Sequence, residues 1–232
     1  MSRVLRPLGT CVGLLALWWG LARFANIPAF LLPGPGAVAQ TLVAQWGFLA
    51  RNALVTLLEI ALGLGLGTLF GAGCALVMVA SRGVQRWLLP LLLLSQAVPV
   101  FALAPLLVLW LGFGLASKVL MAVLVIFFPV TAAFYDGLRR TEPGWLDLAR
   151  TMGASRLSIL WRVRLMAALP AFGAGLRIPA SVAPIGAIIG EWAGASEGLG
   201  YVMLNANARM QTNVMFAALM LLAGMTILLW VG

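Results

Sequence analysis

Six stretches of this chain, residues 8–22, 53–80, 88–111, 119–134, 166–190 and 214–231, are predominantly apolar over lengths that only a lipid environment explains. A helix needs about 20 apolar residues to cross the hydrocarbon core. The 63% apolar content and mean hydropathy of +1.06 lie well above the roughly 45–50% apolar content of a soluble domain. The expected fold is therefore all-α and integral to the membrane, with a single domain over residues 1–232 and about six transmembrane helices. The first run is short for a perpendicular span, and Arg3 and Arg6 before it imitate a secretory signal. No small-x-small cleavage site follows, and five further apolar runs favour a retained span.

The net charge of +9 does not point to nucleic acid, because the basic residues are scattered between apolar runs instead of gathered in a polar domain. Their distribution reads as topology. With the amino terminus in the cytoplasm, ten arginines fall inside: Arg3, Arg6, Arg82, Arg86, Arg139, Arg140, Arg150, Arg156, Arg162 and Arg164. Four basic residues, Arg23, Arg51, Lys118 and Arg209, fall outside, and Arg177 lies within the fifth span. This satisfies the positive-inside rule.

Several functions are excluded by what is missing. Histidine is absent, and Cys11 and Cys74 stand alone in apolar runs, so no zinc, haem or disulfide framework is expected. There is no phosphate-binding glycine loop, and Lys118 in "GLASKVL" has the wrong context for one. The acids are Glu59, Asp136, Glu142, Asp147, Glu191 and Glu197; none is expected to pair inside the membrane as a proton relay would require. The chain is not expected to be an enzyme.

Within the spans, "GLGLGLGTLFGAG" sets Gly63, Gly67 and Gly71 on one helix face, as close helix packing in lipid requires, although a glycine-lined pore fits the same pattern. Pro99 and Pro105 fall inside the third span, where each removes a backbone hydrogen bond and bends the helix. Such bends border a cavity or gate, or serve structure alone. Two outer connections, 26–52 and 191–213, each contain a helix-compatible part and form either a vestibule or ordinary loops.

Residues 145–165, "WLDLARTMGASRLSILWRVRL", interrupt the apolar pattern with an aspartate and four arginines. A helix is predicted to start near Thr141 or Glu142, with Pro143 in its first turn. Trp145, Leu148, Ala149 and Met152 recur at i, i+3, i+4 and i+7, which makes one apolar stripe. Gly153 permits a sharp turn into a second helix that continues into the fifth span. An amphipathic cytoplasmic helix of this kind either lies on a lipid surface or seats its apolar face in a groove of another protein.

This stretch resembles the EAA loop of bacterial ABC-importer permeases, a pattern of E-A-A, three residues, G, nine residues, then I-x-L-P. Asp147, Leu148 and Ala149 take the E-A-A places, Gly153 the glycine, and Val163 and Leu165 the I and L; Met166 stands where the motif has proline, and Pro170 follows. The segments "LLPGPGAVAQTL", "QAVPVFALAPLLVLWLGFGLASKV", "FFPVTAAFYDGLRRTEPGWLDLARTMGAS", "GLRIPASVAPIGAIIGEWAG" and "GLGYVM" are similar, in order, to the permease branch serving nitrate, taurine, alkanesulfonate and thiamine-precursor importers. Glu59 departs from that branch, which more often has a basic or neutral residue there.

The resemblance implies a type I importer permease in the bacterial inner membrane. It implies that two copies pair and that each seats its loop, residues 135–165, on a cytoplasmic ABC ATPase dimer. A binding protein outside delivers a small, anionic solute. ATP and Mg²⁺ would be bound by the ATPase, leaving this chain without a cofactor. Trp145, Leu148, Ala149 and Met152 would supply the seated face, Gly153 the turn, Glu142 and Pro143 the helix start, and Asp147 and Arg150 the polar rim. Arg177 either attracts an anion to the pathway or is structural, bonding to carbonyls or to Glu59, and Glu191 helps form a vestibule or gate. A secondary transporter and a membrane anchor or scaffold remain as alternatives. The former would favour inverted repeats and midplane ionisable residues, which do not stand out.

Overall fold

A computed structural model describes residues 2–24 and 27–231, with side chains for 9, 10, 12–24 and 27–230. Asn26, where the first outer connection begins, and the Cys11 side chain lie outside the described residues. The described residues form α-helices and no strand: α1 (Ser2–Phe24), α2 (Pro35–Ala44), α3 (Trp46–Ala80), α4 (Arg82–Ser95), α5 (Val100–Leu111), α6 (Leu115–Arg139), α7 (Pro143–Thr151) and α8 (Arg156–Ile159). A π-helical turn, Leu160–Arg164, leads into α9 (Leu165–Gly175), followed by α10 (Arg177–Gly194), α11 (Leu199–Ala208) and α12 (Thr212–Val231). Four helices or helix runs are long and apolar enough to cross a membrane, and the count rises to six if the pairs α4 with α5 and α10 with α11 are each one broken span.

Several helices outrun the apolar runs that signal them. α3 begins at Trp46, and α6 extends from Leu115 to Arg139. At 1.5 Å per residue the 35 residues of α3 measure about 52 Å, more than the hydrocarbon core of roughly 30 Å. Polar residues at the ends of these helices keep the helical backbone, which apolar content alone does not report.

The third predicted span is not one helix. α4 and α5 meet at a 99° bend across residues 96–99. Pro99 is the N-cap of α5; with no N–H to donate, it cannot extend a helix arriving from α4. Pro105 lies inside α5 without interrupting it.

Two compact units are present, one of residues 1–55 and 196–224, the other of residues 56–195 and 225–232. In the second, α6 is the central element. It buries side chains around its circumference, among them Met121, Ala122, Ile126, Val130 and Leu138, as a helix apolar on all sides must. On one side α3 presents its glycines: a Cβ on Gly67 would stand 2.9 Å from Ile126 Cγ2, one on Gly71 2.7 Å from the Phe127 carbonyl, and one on Gly63 would overlap Ala122. On another side α10 does the same, with Gly186 2.7 Å from Ala122 Cα and Gly190 2.9 Å from Lys118 Cα, measured from the position a Cβ would take. Lipid supplies no hydrophobic drive between helices, so close backbone contact through small residues holds this unit together.

The other unit is tied by polar contacts among its short segments. Trp18 Nε1 donates to the Pro33 carbonyl at 3.0 Å, and its ring stacks on Phe216. Thr212 Oγ1 donates to the Phe30 carbonyl at 2.6 Å, the Gly198 amide donates to Asn52 Oδ1 at 2.8 Å, and Arg51 pairs with Glu197 at 3.0 Å. The two outer connections therefore meet at several points and contain α2 and α11.

Gly67→Leu should force α3 off α6 and lower stability by about 1–3 kcal/mol, as overpacking does. Gly65→Leu, where a Cβ would meet nothing within 4 Å, should be neutral. Thermal unfolding of both variants in detergent checks this; equal effects would contradict the packing role.

Candidate functional site

The loop between α6 and α9 is built from local capping. Thr141, buried, donates its hydroxyl to the Leu138 carbonyl at 3.1 Å and closes α6. Glu142 is the N-cap of α7 and Pro143 its first residue, where the missing N–H is harmless. At the far end the Gly153 amide donates to the Arg150 carbonyl at 2.9 Å and the Ala154 amide to the Ala149 carbonyl at 3.0 Å. This pair of bonds is a Schellman motif, and Gly153 takes the left-handed φ of +78° it requires. No atom lies within 4 Å of where its Cβ would be, so the glycine answers to backbone conformation and not to crowding.

α7 buries none of its residues. Trp145, Leu148 and Met152 are 54%, 62% and 78% exposed, which leaves the apolar stripe without cover. The stripe and Ala149 line a hollow of about 620 Å³ with Val163, Met166 and Pro170. Asp147 and Arg150 lie on the polar side, paired at 2.7 Å across one helical turn.

After Gly153, Ser155 caps α8 by accepting from the Ser158 amide at 3.2 Å. α8 passes through the π-helical turn directly into α9, so Met166 in place of a proline leaves an unbroken helical run from Arg156 to Gly175. The wide turn also distributes its arginines: Arg162 faces the apolar hollow, whereas Arg164 lines a second cavity that Arg150 shares.

A buried ionic cluster sits at the Leu115 end of α6, contrary to the expectation that no acids gather inside the membrane. Glu59 of α3 and Glu191 of α10 are 0% and 1% exposed. Lys118 Nζ stands 3.1 Å from Glu59 Oε1, within ion-pair distance but without good hydrogen-bond angles. Glu191 faces Glu59 and accepts from Thr56 Oγ1 at 2.6 Å. Lys118 is thus no loop charge. α6 starts three residues before it, and Gly190 lets α10 approach its backbone. The three charged groups come from three helices, so their meeting is a tertiary fact with no local signal beyond Glu59 itself.

A sequence profile for the inner-membrane component of binding-protein-dependent transport systems matches residues 63–232. This protein belongs to that family. It is 55% identical over 228 residues to a "Probable ABC transporter permease protein" of Haemophilus influenzae, covering 98% of this chain and 93% of the relative. It is 41% identical over 189 residues to the formylaminopyrimidine transport permease ThiX of Halalkalibacterium halodurans, covering 81% of this chain and 75% of that protein. The taurine transport system permease TauC of Escherichia coli is 33% identical over 237 residues, covering 99% and 86%. The chain is an ABC transporter permease subunit of a binding-protein-dependent importer, and membership implies a solute-binding protein and an ATPase as partners.

In the permease, the remaining candidate residues are dispersed. Arg177 opens α10 after the helix break at Leu176; it is exposed, with its guanidinium 5.9 Å from the Trp230 ring centre, a cation–π contact. Glu59 is engaged by Lys118, so Arg177 does not supply its partner. Pro99 and Pro105 are exposed at the α4–α5 bend and on α5.

Lys118→Met should destabilise the permease by about 3–5 kcal/mol, because it leaves the buried Glu59 carboxylate beside Glu191 with no counter-charge. Glu59→Gln combined with Lys118→Met should recover much of that loss. Unfolding of the single and double variants in detergent gives the coupling energy; additive effects would show that the ion pair does not act as a unit.

Proposed function

We propose that the permease forms, with a second copy of itself, the pathway of an importer for a small solute of the sulfonate or thiamine-precursor class. The relatives' names support that class: one is a taurine permease, another a formylaminopyrimidine permease. An external binding protein selects and delivers the solute. The amino terminus lies in the cytoplasm, a reading supported by ten arginines on that side against three outside, Arg23, Arg51 and Arg209, once Lys118 is counted with the buried cluster.

The observation that carries the coupling role is the uncovered apolar face of α7. A separate ATPase, holding ATP and Mg²⁺, receives Trp145, Leu148, Ala149 and Met152 in a groove. Closure of the ATPase dimer draws the two α7 helices together and turns the pathway outward; hydrolysis returns it. The Schellman turn at Gly153 fixes α7 relative to α9, so force on the stripe reaches the membrane instead of flexing the loop.

Leu148→Asp should reduce co-purification of the ATPase and binding-protein-stimulated ATP hydrolysis by at least about tenfold, since it places a charge in an apolar seat. Gly153→Asn, which tolerates positive φ, should retain most coupling, whereas Gly153→Val should lose it. Normal transport by Leu148→Asp would contradict the docking assignment. In a background lacking Cys11 and Cys74, Glu197→Cys should react with an impermeant maleimide on intact cells and Ser155→Cys only after permeabilisation; the reverse pattern would overturn the orientation.

A further inference from the structure

Arg150, expected at the polar rim of the ATPase seat, also lines a cavity of about 770 Å³ on the side of α7 away from the apolar stripe. Four arginines line it: Arg82 at the start of α4, Arg150 on α7, Arg156 on α8 and Arg164 at the end of the π-helical turn. Buried Ile159 and Leu160 form an apolar part of the wall. Among the described residues Asp147, bonded to Arg150, is the single carboxylate in an ion pair with any of the four, and Arg82, Arg156 and Arg164 have no ion pair. Ser81 caps α4 here by accepting from the Val84 amide at 3.4 Å, so the positive end of a 14-residue helix adds to the field.

Arg82, Arg150 and Arg156 are exposed and Arg164 is half-buried, so four guanidinium groups with one paired carboxylate border a hollow that water and an anion can enter. Guanidinium groups match phosphate oxygens in paired hydrogen bonds. The cavity exceeds what one inorganic phosphate fills. Arg82 begins α4, whose later residues Trp87, Leu91, Leu93 and Leu94 are 78%, 60%, 58% and 64% exposed, a composition suited to the membrane interface. A basic pocket between helices at that level fits an anionic phosphate group.

We infer that the cavity of Arg82, Arg150, Arg156 and Arg164 is a binding site for a phosphate-bearing anion, either the headgroup of an anionic phospholipid or a soluble phosphate compound. The site is separate from the apolar docking stripe, and its occupancy stiffens the junction of α4, α7 and α8 from the opposite side. It depends on neither the solute nor the ATPase assignment.

The test uses the purified full-length permease without ATPase. Native mass spectrometry measures retention of phosphatidylglycerol against phosphatidylcholine, and calorimetry measures binding of inorganic phosphate and of ATP. Arg82→Gln/Arg156→Gln is compared with Arg86→Gln/Arg139→Gln, which removes the same charge outside the cavity, and circular dichroism with size-exclusion chromatography confirms folding of each. Arg82→Lys/Arg156→Lys keeps charge without the paired geometry. The expected result is a preference for phosphatidylglycerol that falls on the order of twentyfold in the cavity variant, partly returns with lysine, and is unchanged in the control. Binding of phosphate or ATP with the same variant pattern but no lipid preference supports the site and assigns it to a soluble ligand. Equal losses in cavity and control variants, or no binding of any probe, overturn the inference. So does loss of ATPase co-purification in the cavity variant without anion binding by the free permease, since the arginines would then meet acidic side chains of the ATPase.

Discussion

Everything in the larger unit depends on how closely α3 and α10 approach α6. Gly63, Gly67 and Gly71 on one helix and Gly186 and Gly190 on the other bring two backbones against a third, where any side chain would collide. In lipid this contact takes over the role that water exclusion has in a soluble core. The ionic cluster follows from it. Glu59 lies one turn from Gly63, Glu191 next to Gly190, and Lys118 on the α6 backbone that Gly190 contacts, so the glycines put three charged groups within reach of one another. A buried carboxylate surplus held by one lysine costs stability unless every member keeps its place, which links helix spacing to charge.

At the other end of α6 the structure is governed by short-range rules. Thr141, Glu142, Pro143 and Gly153 set where α6 stops, where α7 starts and where it turns back. The result is a helix whose apolar face remains open and whose polar face borders a basic cavity. One short helix thus presents two chemically opposed surfaces, and the π-helical turn that follows assigns Arg162 to one side and Arg164 to the other.

These two regions differ in how legible they are from sequence. The α7 loop is readable because capping residues, stripe and glycine lie within a dozen positions and obey helical spacing. The glycine stripe of α3 is readable for the same reason, though not the identity of the helix it meets. The Lys118–Glu59 pair is not readable: Lys118 lies just past the turn at Gly112 and Gly114 and looks like a loop charge, yet α6 begins before it. The third apolar run shows the opposite limit. Its prolines announce a bend, but the 99° angle arises because Gln96–Pro99 holds no helix, which hydropathy averaging hides. Arg177 reads as a charge in the middle of a span until the break at Leu176 places it at a helix start beside Trp230.

Binding of an ATPase to the open face of α7 can be tested where it would occur. Photocrosslinking from a benzoylphenylalanine at position 148, compared with one at position 69 on the equally exposed flank of α3, addresses it most directly. The expected result is a crosslink to the ATPase from position 148 that strengthens when nucleotide closes the ATPase dimer, and none from position 69. Crosslinking of position 148 to lipid alone, in cells where the importer is assembled and active, would contradict it.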